Sequence, residues 1–254
     1  MSIKRIIPCL DVKNGHVVKG INFVNLRDAG NPAEMAQHYE KEQADELVFL
    51  DISATQEGRN TQKEWVKDVS NNLSIPFTVG GGIDSPLIAQ ELLSLGATKI
   101  SLNTAAVQNP ELIRLCVDLL GEGKVVLAAD VKETQKGFWE VFINGGQTPT
   151  GLNASQWMKQ GVEMGCCEIL LTSMDRDGTM KGYDIPLLSS AAQNLPVPII
   201  ASGGAGTKEH ILEGLQIGCD GALAASIFHF GAVRIPELKK WLQAHDASVR
   251  LKED

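Results

Sequence analysis

The sequence predicts a (βα)8 (TIM) barrel, a closed ring of eight parallel strands that alternate with helices. Two observations carry this prediction: short apolar runs alternate with helical stretches from end to end, and the second half of the chain repeats the first. Parallel strands that helices cover on both faces are apolar throughout, whereas half-exposed strands alternate. Strict alternation of strand and helix gives right-handed crossovers, and eight strands suffice to close a barrel.

The eight apolar runs are short and continuous. The predicted strands run from Arg5 to Leu10, Glu46 to Asp51, Ile75 to Val79, Thr98 to Leu102, Lys124 to Ala129, Glu168 to Thr172, Val197 to Ala201 and Gly221 to Ala225. No linker or change of composition separates them. We therefore expect one domain over residues 1–254.

Helix-start signals lie between the strands. Asn31-Pro32, Ser85-Pro86 and Asn109-Pro110 each place a capping side chain before a proline at the first helical position. Asn153 and Thr207 give weaker signals of the same kind. Each signal predicts a helix that follows a strand.

Two connections are abnormally long, at residues 12–30 and 131–151. Strand-to-helix connections usually take about two to six residues, and longer ones are often functional. The second contains FWEVFINGG, whose alternation and terminal glycines predict a small hairpin. The first is glycine-rich around VVKGINF, which predicts a mobile lid that carries Lys19.

The repeat relates two halves of the chain, at about 1–122 and 123–254. Glu168 begins EILLTSMD 122 residues after Glu46 begins ELVFLDIS, and Gly203-Gly204 follow Gly81-Gly82 at the same spacing. Asp130 follows Asp11 by 119 residues, so three residues are gained in between. Repeats of this kind decide architecture before local features do, and this one predicts two duplicated half-barrels.

Composition narrows the function classes. The net charge of −8 and pI near 5.2 argue against nucleic-acid and anionic-membrane binding. No apolar window is long enough for a membrane span or a signal sequence, so we expect a soluble, cytoplasmic protein. The 5 cysteines lack CxxC spacing, which predicts free, mostly buried thiols. The histidines show no ligand spacing, so no metal or other cofactor is expected.

Two aspartates are the candidate catalytic pair. Asp11 ends the first predicted strand and Asp130 the fifth, so both lie at the carboxyl-end mouth of the barrel, on opposite sides. Each follows an apolar run, and desolvation can make one carboxyl an acid while its partner stays a base. The alternative is that each caps a turn or pairs with Lys13 or Lys132. The matched positions favour catalysis.

Small residues after other strands predict two phosphate sites. Glycines expose backbone N–H groups, and a helix N-terminus behind them favours an anion. The candidates are Gly81, Gly82, Asn103 and Thr104 on one side, and Gly203, Gly204, Ala225 and Ser226 on the other. Thr172, Asp177 and Gly178 are candidates for the second phosphate or substrate hydroxyls, although an Asx-type turn explains the last two equally well. Such a mouth fits a substrate with a phosphate at each end.

Four charged residues start strands at the opposite end of the barrel: Arg5, Glu46, Lys99 and Glu168. Charges at strand starts are usually solvated. A mixed ring around a barrel bottom would instead form a salt-bridge plug or gate. The sequence leaves both readings open.

The residues as a set resemble one family. RIIPCLDVKNGHVVKGINF, ADELVFLDI, TVGGGI, SLNTAAV, CEILLTSMDRDGTMKGYD, IASGGAGTKEH and ALAASIFHFG are similar to the cyclase subunits of imidazole glycerol phosphate synthase, from Lys4 to about Leu242. Asp84 stands where a basic residue is usual, and Thr98 where many members carry an acid that contacts the glutaminase.

The resemblance implies a reaction and a partner. A glutaminase subunit, bound as a heterodimer, would supply ammonia, and the cyclase would convert the bisphosphorylated ribulosyl formimino intermediate to imidazole glycerol phosphate and aminoimidazole carboxamide ribotide. Asp11 and Asp130 would be the acid/base pair, the glycine pairs with Thr104 and Ser226 would bind phosphates, and Lys19 would lie on the closing loop. The ring of Arg5, Glu46, Lys99 and Glu168 would admit ammonia.

Two alternatives remain at this point. The sister isomerase of histidine biosynthesis shares the duplication and both aspartates, although SGGAGTKEH and FHFG favour the cyclase. A scaffold that activates a glutaminase for another amination would also keep the barrel. Product formation with and without ammonia separates the three.

Overall fold

The computed structural model describes residues 3–21, 24–229 and 231–251, and for residues 19–21 and 24–29 it describes the backbone alone. The strands are β1 (Arg5–Lys13), β2 (His16–Ile21), β3 (Val24–Gly30), β4 (Leu47–Asp51), β5 (Phe77–Gly80), β6 (Lys99–Leu102), β7 (Val125–Gln135), β8 (Phe138–Ile143), β9 (Thr148–Asn153), β10 (Glu168–Ser173), β11 (Ile199–Ser202) and β12 (Gly221–Ala224). Eight of them, β1, β4, β5, β6, β7, β10, β11 and β12, pair in parallel, and β12 returns to β1. The predicted (βα)8 barrel is confirmed.

The helices surround this barrel. They are α1 (Pro32–Lys41), α2 (Lys63–Asn71), α3 (Pro86–Ser94), α4 (Thr104–Gln108), α5 (Glu111–Leu120), α6 (Ala154–Glu163), α7 (Ile185–Asn194), α8 (Lys208–Gln216), α9 (Ser226–His229) and α10 (Ile235–Gln243). Asn31, Ser85, Asn153 and Thr207 cap α1, α3, α6 and α8 through side-chain oxygens, as predicted. Asn109 does not: it ends α4, and the following Pro110 already has helical φ and ψ, so no side-chain cap forms.

The duplication extends to the register of the barrel strands. Val48 on β4 pairs with Thr78 on β5, and Leu170 on β10 pairs with Ile200 on β11, each 122 residues later. The pair β5–β6 agrees with β11–β12 at the same spacing. The pairs β1–β4 and β7–β10, and β6–β7 and β12–β1, agree when β7 is matched to β1 at the spacing of Asp11 and Asp130. We infer that the two halves arose as copies that meet near residue 122 within one domain.

Both long connections are antiparallel ribbons. In the first, β2 pairs with the end of β1 and with β3, so the connection expected to form a mobile lid has strand structure. In the second, β8 pairs with the extended β7 and with β9, which confirms the predicted hairpin and adds a strand to it. The extra residues of the second half lie here. The motion expected of the first connection stays a prediction.

Side chains of the barrel strands alternate between two apolar layers. On β1, Ile6 and Leu10 pack outward against the helices, whereas Ile7 and Cys9 point into the barrel. Because successive side chains of a strand point to opposite faces, Asp11 lies on the inner side with Cys9. The inner layer consists of Ile7, Cys9, Val48, Val126, Ala128, Leu170, Ile200, Leu223 and Ala225. Strands buried on both faces explain the continuous apolar runs.

All five cysteines are free thiols, and all but the half-buried Cys167 are buried. Among the described helices, none combines the length and the apolar character needed to cross a membrane.

A buried ion pair ties the last helix to the amino-terminal strand. Lys239 on α10 donates to the carboxylate of Asp45 at 2.7 Å and to the carbonyl oxygen of Gln43 at 2.7 Å. The other carboxylate oxygen of Asp45 accepts from the backbone N–H of Ile6 at 2.8 Å. The Lys239 and Asp45 side chains are only 3% and 6% exposed. This contact therefore joins both ends of the chain.

Replacing Lys239 by methionine should destabilise the protein by about 3–5 kcal/mol, because Asp45 would remain buried without its cation. Urea unfolding measures the change. The exposed neighbour Lys240 provides the control, since Lys240→Met should alter the unfolding free energy by less than about 0.5 kcal/mol. Equal unfolding curves for the two variants would contradict a structural role for the pair.

Candidate active site

A large cavity opens at the carboxyl ends of the barrel strands. Its volume is about 630 Å³, within the range of small-molecule sites. Both candidate aspartates, both glycine pairs and the residues that follow β6, β10 and β12 line it. The structure thus brings together the predicted groups Asp11, Asp130, Gly81, Gly82, Asn103, Thr104, Thr172, Asp177, Gly178, Gly203, Gly204, Ala225 and Ser226.

Asp130 lies on β7 in a partly desolvated, hydrogen-bonded position. The side-chain amide of Asn103 donates to its Oδ2 at 2.9 Å, and Thr172 donates from the neighbouring strand. The pKa of Asp130 is raised to about 6, chiefly by burial; the negative charges of Asp177 and Asp11 contribute to the rise, and the two hydrogen bonds oppose it. This carboxyl can exchange a proton near neutral pH.

Asp11 has a different environment at the corresponding place in the first half. Its Oδ1 lies 3.4 Å from the Sγ of Cys9. The two side chains that donate to Asp130 have apolar counterparts 122 residues away, Leu50 and Ala225. The duplication therefore places two carboxylates in one mouth, while unequal neighbours make them chemically distinct.

The first glycine of each pair passes close to a neighbouring strand end. A Cβ on Gly81 would lie 2.2 Å from the carbonyl oxygen of Asp51, and a Cβ on Gly203 would lie 2.6 Å from that of Ser173. Both glycines have positive φ, at 96° and 89°. Asp51 and Ser173 are themselves 122 residues apart. The two turns are therefore matched in backbone path, and a side chain would disrupt either one.

The second glycines, Gly82 and Gly204, also have positive φ, and short helices begin beside each turn. Thr104 starts α4 and Ser226 starts α9. The backbone N–H of Asn144, at the tip of the second ribbon, donates to the Thr104 hydroxyl at 3.0 Å. Each side of the mouth thus combines a glycine turn with a hydroxyl at a helix start.

The loop after β10 brings Asp177 and Gly178 to the cavity wall. Asp177 is 8% exposed, and its backbone N–H donates to the carbonyl oxygen of Ser173 at 2.9 Å. Gly178 has a φ of 71°. Both residues therefore lie in a tight backbone turn at the cavity wall.

A buried carboxylate at the mouth was missed in the sequence. Asp51, at the end of β4, is 1% exposed and accepts two hydrogen bonds from Arg59 at 2.6 and 3.1 Å. Arg59 also donates to Glu57 and to Ser53, so it organises the loop between β4 and α2. Both Asp51 and Arg59 line the cavity. The sequence feature that could have identified Asp51 is its place at the end of a predicted strand, which it shares with Asp11.

The four charged residues at the opposite end form a closed ring of ion pairs. Arg5 contacts Glu46 at 2.8 Å and also Glu168, and Lys99 contacts Glu168 at 3.0 Å and Glu46 at 3.4 Å. Burial alone would lower the pKa of Arg5, yet Glu168 and Glu46 raise it, so the guanidinium stays charged. The apolar inner layer lies between this ring and the aspartates. The residues are therefore a connected plug and not separate solvated ends.

Two further predictions concern Lys19 and metal binding. The backbone of Lys19 belongs to β2, and its side chain lies outside the described residues. Among residues 3–21, 24–229 and 231–251, no cluster of three or more histidine, cysteine, aspartate or glutamate side chains is arranged to hold a metal ion.

Comparisons with known proteins agree with this geometry. The family model described as "Histidine biosynthesis protein" matches residues 5–234. The imidazole glycerol phosphate synthase subunit HisF of Pyrococcus furiosus is 51% identical over 251 residues, an alignment that covers 99% of this chain and 100% of that protein. A match of this extent, on a barrel with the same motifs, shows that the chain belongs to the histidine biosynthesis protein family.

Proposed function

We propose that this chain is the cyclase subunit of imidazole glycerol phosphate synthase. It would use ammonia from a glutaminase subunit to convert the bisphosphorylated ribulosyl formimino intermediate into imidazole glycerol phosphate and aminoimidazole carboxamide ribotide. The observation that carries the proposal is the juxtaposition of two carboxylates and two matched glycine turns in one mouth. Full-length similarity to HisF supports it.

The two glycine turns would hold the two phosphates of the substrate. Gly81 and Gly82 with Thr104 form one anion site, and Gly203 and Gly204 with Ser226 form the other. Glycine has no Cβ to block access to its backbone N–H, and such N–H groups, together with hydroxyl donors, bind phosphate. Because the turns lie in opposite halves of the barrel, a bound substrate would span the mouth past both aspartates.

Acid–base catalysis by the aspartates would drive ring closure without a metal. In the mechanism, ammonia adds to the substrate carbonyl carbon, one carboxylate removes a proton from the added nitrogen, and the carbonyl oxygen leaves as water to give an imine. The added nitrogen then bonds to the formimino carbon and closes the ring, while the other carboxyl protonates the carboxamide ribotide nitrogen as its bond to that carbon breaks. Asp130, with its pKa raised to about 6, suits either proton transfer. Asn103 and Thr172 would hold this carboxyl in place, and Asp177 would add a hydrogen-bonding group for substrate hydroxyls.

Ammonia would enter from the opposite end. The ring of Arg5, Glu46, Lys99 and Glu168 closes the barrel bottom, and the apolar inner layer behind it suits a small neutral molecule. We place the glutaminase subunit at this face, as a heterodimer. Thr98 has its hydroxyl engaged with the carbonyl oxygen of Phe77 at 2.7 Å, so it would not replace a charged contact to the partner. The free thiols support a reducing, cytoplasmic location.

Purified protein supplied with ammonium salts at alkaline pH should consume the bisphosphorylated substrate and release both products. Asp11→Asn and Asp130→Asn should each lower turnover by at least about 10²-fold, because a lost acid or base costs this much. Product chromatography with and without ammonia makes the measurement. Thermal unfolding of each variant shows that the fold is retained.

Three outcomes separate the alternatives. Full activity in both variants would overturn the assignment of the aspartates. Conversion of the aminoaldose substrate without ammonia would identify the sister isomerase. Capture of a glutaminase with no cyclisation would favour the activating scaffold.

Asp130→Asn should also stabilise the protein at neutral and alkaline pH. A carboxyl whose pKa is raised on folding binds protons more tightly in the native state, so native stability falls as pH rises from about 4 to about 6. Removing the charge should therefore raise the unfolding free energy by about 2 kcal/mol at pH 8, because solvent screens part of the penalty for the charged carboxylate. Near pH 4 the change should be almost nothing. Urea unfolding at both pH values measures this. A constant difference would show that burial does not raise this pKa.

A further inference from the structure

The second glycine turn is fastened to the helix behind it by a histidine side chain. The backbone N–H of Gly206 donates to Nδ1 of His210, in the first turn of α8, at 3.2 Å. The backbone N–H of His210 in turn donates to the Thr207 hydroxyl at 3.4 Å. An imidazole that accepts at Nδ1 is neutral and carries its proton on Nε2. The His210 side chain and the Thr207 cap therefore connect this turn to α8.

This contact lies behind the turn and not in the cavity. Ser202, Gly203, Gly204 and Ala205 line the cavity, whereas Gly206 and His210 are absent from its wall. The N–H of Gly206 is therefore directed away from the substrate. It holds the end of the segment whose preceding residues line the cavity.

The imidazole ring also fills the space beside the loop that follows β10. A Cβ on Gly182 would lie 3.2 Å from the ring of His210, so these two residues are in close contact. The N–H of Gly182 donates to the carbonyl oxygen of Gly204 at 2.8 Å. His210 thus supports the turn directly, through Gly206, and indirectly, by packing against the residue that bonds Gly204.

The first glycine turn is held from another direction. There the side-chain amide of Asn60 donates to the carbonyl oxygen of Gly82 at 2.9 Å and to the carboxylate of Asp84 at 3.1 Å. The residue 122 positions before His210 is Ile88, which has no polar side-chain atom. The duplicated turns share a backbone path but differ in what fixes them.

We propose that His210 is a positioning residue for the second phosphate site. Its neutral imidazole fixes the Gly203–Gly206 turn so that the backbone N–H groups of this turn converge on one phosphate of the substrate. The proposal rests on the proposed function, in which each turn binds one phosphate. Loss of the Nδ1 acceptor should therefore weaken binding of one phosphate of the substrate and leave binding of the other phosphate unchanged.

The two products provide the test, because each carries one phosphate and, under the proposed function, would bind on one side of the mouth. His210→Ile introduces the residue found at the corresponding place in the first half. It should raise the inhibition constant of one product about fivefold, in proportion to one lost hydrogen bond, and leave that of the other product within about twofold. The substrate KM should rise by a similar factor, with kcat within about twofold.

His210→Asn should recover near wild-type constants, since its Oδ1 can occupy the position of Nδ1. His210→Ala removes the acceptor without adding bulk. It should raise the inhibition constant of the same single product, which would show that the effect of His210→Ile does not come from disturbed packing. The exposed His38 serves as control, and His38→Asn should change no constant.

Equal weakening of both products would mean general loosening and would overturn the proposal, as would unchanged constants in His210→Ile and His210→Ala. Failure of the wild-type protein to form the imidazole product would instead contradict the proposed function. The two failures are therefore distinguishable.

Discussion

The closed register of the barrel, combined with the two-residue alternation of side chains along each strand, determines where every functional group lies. Once Ile7 and Cys9 point inward, Arg5 must point inward at the bottom of β1 and Asp11 at its top. The same rule places Glu168 below and Thr172 above Leu170 on β10. A slip of one residue would turn each column outward and remove the ion-pair ring and the carboxylates together.

Within this frame, function depends on departures from exact duplication. The register is common to both halves, and so is the backbone path of the glycine turns. The neighbours of the carboxylates are not: Asp130 has Asn103 as a donor, whereas Asp11 lies beside Cys9. Burial raises the pKa of Asp130 to about 6. Local substitutions on a symmetric scaffold thus produce two carboxyl groups with different chemistry.

The ribbons and turns that surround the mouth also differ between the two halves. One ribbon carries Lys19 on β2, and the other brings the N–H of Asn144 to Thr104. The phosphate turns are held by Asn60 in one half and by His210 in the other. A substrate with two different ends requires two similar anion sites that are not identical, and this arrangement supplies them.

Six of the eight barrel strands could be predicted within about two residues at each end, because continuous burial leaves a direct mark on the sequence. The predictions for β1 and β7 ended at Leu10 and Ala129, whereas these strands continue to Lys13 and Gln135 and join the ribbons. The caps at Asn31 and Ser85 follow from local chemistry and were equally readable. The cap expected at Asn109 failed because α4 ends there, a consequence of packing that the Asn-Pro pair does not reveal. The glycines around Lys19 suggested a mobile lid, and only the pairing of β2 with β1 and with β3 shows an antiparallel ribbon there.

Strand-end positions identified the candidate site residues, since the carboxyl ends of all barrel strands meet at one face. Contacts between distant segments could not be predicted in this way. The Asp51–Arg59 pair and the bond from Gly206 to His210 depend on how loops fold back on the barrel. The structure of the Asp130→Asn variant with the bisphosphorylated substrate is the most direct test of the account. It should show one phosphate at Gly81, Gly82 and Thr104, the other at Gly203, Gly204 and Ser226, and the reacting carbon atoms between residues 11 and 130. Both phosphates on one side of the mouth would contradict it.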